Sequence, residues 1–185
     1  SSARAAMARL FHALALGVLG AGIVHIVVLF MLPYMSDRNA WSRMAEKGDL
    51  FETVQIETSS DAPLTVSADP MFLAVACRFD IAEGPVRISS GERVLFWSMS
   101  VYDREGQNIF SLNDRTANDG KLDIVIVKPV QMLELRNAFP ADFERSIFVE
   151  ADIDAGMIVV RSFLPDSTWQ PRIALYLESI ACEPY

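Results

Sequence analysis

The chain has 185 residues, with 16 Lys and Arg against 24 Asp and Glu, a formal net charge of −8 and an isoelectric point near 4.7. So acidic a surface excludes nucleic acid as a partner, because its binders need basic patches that displace counterions. It also argues against lying flat on anionic lipid.

Residues 1–9 form a short tail with Arg4 and Arg9 and no acids. Leu10 to Leu32 contains no Asp, Glu, Lys or Arg. As a helix it covers roughly 35 Å at ~1.5 Å per residue, enough to cross a hydrocarbon core of ~30 Å. A secretory signal is the alternative, but its apolar stretch is usually ~7–15 residues and ends in a small-x-small cleavage site. Here the run leaves through Leu29-Phe30-Met31-Leu32-Pro33-Tyr34, so a retained transmembrane anchor over 10–32 is expected. Flanking charge is nearly balanced, with Arg38, Arg43 and Lys47 on the far side. The very short tail and the position of both cysteines in the large domain break the tie. The tail is expected in the cytoplasm and the bulk in an oxidising compartment.

Within the span, Ala13, Gly17, Ala21 and His25 recur every four residues. Small residues on one stripe let a second helix approach, and a polar group in hydrocarbon seeks a partner. The alternative is that Ala and Gly are simply common in spans and His25 reaches the interface; both readings stay open. A single histidine in a single span is no haem motif, and no cofactor is expected. His12 lies roughly 220° round the helix from His25 at ~100° per residue, so the two share no face.

Residues 33–50 read as a polar juxtamembrane segment, Ser36 to Asp49 being a short stalk or a juxtamembrane helix, with Tyr34 and Trp41 at the membrane interface. Residues 51–185 suffice for one core. Phe51 to Glu57 alternates as a half-buried strand, and Met71 to Phe79 is a buried strand or a short helix. Gly84 to Ile88 enters a strand. Val94 to Tyr102 puts Leu95, Trp97, Met99 and Val101 on one face. Asp103 to Asn108 is a turn with Gly106 able to take positive φ, and Ile109 to Leu112 returns as its hairpin partner. Asn118-Asp119-Gly120 turns into a strand over Leu122 to Val127. Pro129 to Ala138 reads as a short helix on Val130, Leu133 and Leu135. Ser146 to Glu150 and Met157 to Phe163 are strands joined through 152–156. Asp166 or Ser167 caps a last helix, with Pro171 in its first turn and Ile173, Tyr176, Leu177 and Ile180 on one face. The pattern predicts an α+β, mainly β chain: a transmembrane helix, then an antiparallel sandwich or jelly-roll-like domain with a C-terminal helix.

Both histidines lie in the apolar span, so the large domain cannot hold a Ser-His-Asp or Cys-His arrangement or a histidine-bearing zinc site. Cys77 and Cys182 read most economically as one disulfide. Asp103-x-Glu105-x-x-Asn108 lacks the full calcium-loop pattern, and no catalytic or metal site is assigned. A ligand cleft near Trp97, Asp103, Asn113 and Arg115 is the one candidate site, in a loop that more often bonds to itself.

Asp69-Pro70, Cys77-Arg78-Phe79-Asp80, Gly84-Pro85-Val86, Phe96-Trp97-Ser98 and Val101-Tyr102-Asp103 resemble the family catalogued as domain of unknown function 1254. Gly106-x-Asn108, Ser111-Leu112-Asn113-Asp114-Arg115, and Trp169-x-Pro171 with the late Cys182 continue the match. The chain looks like the short alphaproteobacterial form with one N-terminal span. The resemblance implies a β-rich fold without an assigned reaction, and a domain of unknown function 1214 protein as a candidate partner in trans. Together these predict a single-pass protein of the bacterial inner membrane with a periplasmic domain. It would serve as a non-catalytic accessory or scaffolding subunit meeting integral membrane partners. The alternative is a tethered small-molecule or saccharide binding domain, or a carboxylate-based enzyme.

Overall fold

The computed structural model describes residues 2–35, 40–56 and 69–185, which fall into two units divided between Asp37 and Arg38. The first unit is one helix, α1 (Ser2–Met35), so the expected tail is helical from Ser2. Its Ala6–Met31 stretch is long and apolar enough to be a membrane span or a signal anchor, and none of it is buried.

The second unit is mostly β. Alternation of apolar and polar residues gives β1 (Thr53–Gln55), β2 (Phe72–Asp80), β3 (Val86–Ser90), β4 (Trp97–Asp103), β5 (Asn108–Asn113), β6 (Asp123–Val127), β7 (Ile147–Glu150), β8 (Ala155–Phe163) and β9 (Ile180–Pro184). They form an antiparallel five-stranded sheet, β1-β2-β8-β4-β5, and a four-stranded sheet, β7-β6-β3-β9, in which only β6 and β7 run parallel. Between the sheets lies the main core, including Phe79, Ile88, Trp97, Met99, Ile126 and Ile158. Cys77 on β2 and Cys182 on β9 form a disulfide across 105 residues, with Cα atoms 6.6 Å apart, so one bond ties the two sheets together.

Several shorter features refine or depart from expectation. The stretch read as a stalk or juxtamembrane helix is helical over α2 (Ala40–Ala45), and its Met44, only 2% exposed, packs on Ala76 and Met157. Residues from Ala40 onward therefore belong to the domain. The Trp41 ring lies under the Arg78 and Arg104 guanidinium groups at 5.1 and 5.3 Å, which fastens α2 to the domain. The Tyr34 side chain and residues 57–68 lie outside the described residues. Strand β4 starts at Trp97 because Phe96 has φ 59, a left-handed conformation that breaks the alternation. Leu95 is consequently 59% exposed and not on the buried face.

In α3 (Pro129–Asn137) the buried residues are Gln131 and Met132, while Val130 and Leu133 are exposed. Gln131 turns the helix, because its Nε2 donates to the Ile81 carbonyl at 2.8 Å and its Oε1 accepts from the Lys128 N–H at 2.8 Å. The strands on either side of 152–156 are not a hairpin. β7 closes an edge of the four-stranded sheet and β8 fills the middle of the five-stranded one. Asp166 accepts from the Thr168 N–H at 2.8 Å and opens the turn Ser167–Trp169 into α4 (Gln170–Glu178), which buries Ile173, Tyr176 and Leu177. The helix is followed by β9, a strand too short and too close to the helix for periodicity to reveal.

Candidate functional site

Strand periodicity decides which side chains of the five-stranded sheet face away from the core. Val75, Cys77 and Phe79 of β2 point inward, and so do Ile158, Val160 and Ser162 of β8 and Trp97, Met99 and Val101 of β4. The intervening residues line the outer face. Register sets them in rows: Ala74–Arg161–Ser98–Asn113, then Ala76–Val159–Ser100–Ser111, then Arg78–Met157–Tyr102–Asn108.

The two halves of this face differ. On the β2 side, α2 packs over it and builds a small second core from Met44, Trp41, Ala76 and Met157 with Val54 of the edge strand β1. Arg78 closes that side, with Nη2 donating to the Gly48 carbonyl at 2.8 Å. On the β4–β5 side the surface is polar: the Ser100 and Ser111 hydroxyls are 3.0 Å apart, and Asn108 Nδ2 donates to Ser111 Oγ at 3.0 Å. Between the halves runs a trough of about 380 Å³ floored by Ile56, Phe72, Ala74, Met157 and Val159, with Tyr102, Asp69 and Arg161 on its rim. A shallower polar hollow of about 280 Å³, lined by Ser98, Ser111, Asn113 and Thr116, adjoins it through the same Arg161. Among the described residues the Arg161 side chain has no hydrogen-bond or ion-pair partner. Asp69 is engaged, its Oδ1 accepting from the Met71 N–H at 2.9 Å.

The cleft expected from sequence is not assembled. Trp97 is in the core, with Nε1 donating to the Gly120 carbonyl at 3.0 Å. Asp103 stands at the opposite end of β4, about 20 Å away at ~3.3 Å per residue, and accepts from the Gln107 N–H at 2.7 Å. Asn113 Oδ1 takes the Arg115 and Thr116 N–H groups at 3.1 and 3.3 Å, so this loop bonds to itself and Arg115 points to solvent. Of the four, only Asn113 borders a hollow of the outer face.

Other carboxylates serve turns and ion pairs. Asp80 accepts from the Ala82 N–H, and Asp123 pairs with Arg87 at 2.9 Å. The Lys128 ammonium beside Asp154 holds that carboxyl below its ordinary value, and the Thr168 hydroxyl and N–H do the same for Asp166. No three His, Cys, Asp or Glu side chains gather to hold a metal among the described residues. On α1 the residues Ala13, Gly17, Ala21 and His25 are all exposed, and nothing lies within 4 Å of a Cβ built on Gly17.

Sequence reading missed Arg161, Tyr102 and Phe72. One signal was available: in Met157 to Phe163, period two places Arg161 on the face of Met157 and Val159, opposite Ile158 and Val160.

Residues 51–184 match the model of the family described as "Protein of unknown function (DUF1254)", and the chain belongs to that family. The VPA0106 protein from Vibrio parahaemolyticus has a similar fold, with a TM-score of 0.59 and 12% identity over 78% of this chain and 34% of that one. An uncharacterised protein from Burkholderia cenocepacia aligns with a TM-score of 0.44 and 17% identity, over 70% of this chain and 35% of that one. The chain thus spans about a third of the length of the solved structures it matches. No curated protein matches it.

Proposed function

We propose that this DUF1254 protein is a single-span accessory or scaffolding subunit of a bacterial inner-membrane complex, with its β domain in the periplasm. The observation that carries this reading is α1, whose Ala6–Met31 stretch leaves its apolar surface entirely unburied. Such a surface needs lipid or another helix as cover. The stripe Ala13, Gly17, Ala21 and His25 supports a second span as the neighbour. The Cys77–Cys182 bond supports an oxidising compartment. A domain of unknown function 1214 protein is the candidate partner in trans. Affinity capture of the full-length chain from mild detergent tests the reading. One integral membrane partner should copurify and be lost with Gly17→Leu. A chain that runs alone, indifferent to Gly17→Leu, refutes it. Protease added from the periplasmic side should digest the β domain, and protection there refutes the orientation.

The trough favours one further reading, a tethered small-molecule-binding domain. Its volume of about 380 Å³ falls in the ~300–1,000 Å³ range of ligand pockets.

A further inference from the structure

The chemistry of the trough narrows its ligand. Strand β8 carries Met157, Val159 and Arg161 in sequence on one face, so two apolar positions lead to a guanidinium that stays charged at any working pH. That cation has no partner among the described residues and sits where the apolar floor meets the polar hollow. Arg161 is exposed and solvated, so an anionic head gains a charge-assisted bond there that a neutral amphiphile cannot make, and a sugar would find few partners along Phe72, Ala74 and Val159. A small anion would leave the floor bare. The shape and charge match a molecule apolar along its length and anionic at one end. If a methylene takes up roughly the ~30 Å³ of a liquid water, the trough holds on the order of ten carbons, one chain and not two.

We infer that this trough binds a single-chain amphipathic anion, its head on Arg161 and its chain along Phe72, Ala74, Met157 and Val159. Tyr102 offers a hydroxyl on the same rim. Among the described lining residues Asp69 is the one opposing charge, and its Oδ1 is engaged by the Met71 N–H. The inference rests on the small-molecule reading and is independent of the subunit reading.

The test uses the full-length chain in phospholipid nanodiscs and a dodecanoic acid bearing a terminal diazirine, with cross-linked peptides mapped by mass spectrometry. Labelling is expected at 72–74 and 157–161. Dodecanoate or dodecyl phosphate should displace the probe, and the stronger of the two identifies a carboxylate or a phosphate head. Dodecanol should compete at least about tenfold less well, and Arg161→Gln should weaken binding about tenfold, with Arg161→Lys recovering most of it. Val159→Trp, which fills the floor, should abolish labelling in a variant whose circular dichroism shows it still folded. Equal competition by dodecanol, with Arg161→Gln binding normally, overturns the anion and leaves small-molecule binding standing. Labelling confined to α1, or none on the five-stranded sheet, overturns both.

Discussion

On the four-stranded sheet, α3 and the turn Ala141–Phe143 close the outer face: Phe143, 1% exposed, and Met132 pack on Val125 and Val127. The Phe143 ring also meets the rings of Phe148 and Tyr185 at 5.9 and 4.4 Å. On the five-stranded sheet, α2 packs over the β2 side and leaves an apolar trough beside Arg161, which has no partner among the described residues. One face is sealed by neighbouring chain, and among the described residues part of the other is not. Side chains on the sealed face hold the fold together. Those on the open face can change with little cost in stability, and this is where binding belongs.

The sharpest way to break this contrast is a matched pair of truncations. Phe143→Ala should destabilise the domain by about 3–5 kcal/mol, the range for a fully buried Phe. Phe72→Ala, at a ring 36% exposed, should cost under about 1.5 kcal/mol. Equal shifts in urea midpoint would abolish the distinction. Next comes the bond that spans both sheets. Replacing Cys77 and Cys182 together by Ser should cost about 2–4 kcal/mol, since a closed loop of this size constrains the unfolded chain strongly. Reductant should shift the native protein's midpoint and leave the variant's unchanged.

Gly156→Ala sharpens the comparison by locating where the five-stranded sheet is loose. A Cβ there would collide with the Tyr102 carbonyl oxygen and stand 2.8 Å from Phe79 Cζ, so a loss of about 1–3 kcal/mol is expected. Openness is then a property of one face of that sheet and not of its interior. The smallest effects are pH-linked. Burial raises the Tyr176 hydroxyl well above its ordinary value of 10.0. Above that pH the unfolded chain ionises and the folded one resists, so stability complete below pH 10.0 should fall as pH rises, and Tyr176→Phe should remove that slope. Asp154 acts in the opposite direction. Its lowered folded value means that stability present above pH 3.8 is lost as pH falls through that lower value. Thermal midpoints of the native chain and Asp154→Asn should converge on acidification.

Much of the domain was legible because its signals are local. Trp97, Met99 and Val101 alternate with Ser98, Ser100 and Tyr102, and Gly106 takes φ 89 in the hairpin turn. The pairing of the two cysteines followed from their number and setting. The rest depended on partners distant in sequence. Nothing near Val130 or Leu133 announces that Gln131 will take the buried side of α3 to satisfy the Ile81 carbonyl. Phe96 in a left-handed conformation defies its own propensity, and its N–H faces Asp114 Oδ2 at 3.3 Å. The expected cleft failed because polar residues near one hairpin in sequence lie at opposite ends of strands in space. Arg161 was passed over because its meaning depends on β8 being flanked by β2 and β4.

That central position of β8 governs how the chain must be made. β2 and β4 leave the ribosome well before residues 155–163, the strand that lies between them. Until then both nascent edges are bare templates for aggregation, and so non-local a topology folds slowly. Oxidation of Cys77 waits longer still, for the arrival of Cys182. The five-stranded sheet is therefore completed only once residues 155–163 are available, whatever the order in which its other strands pair.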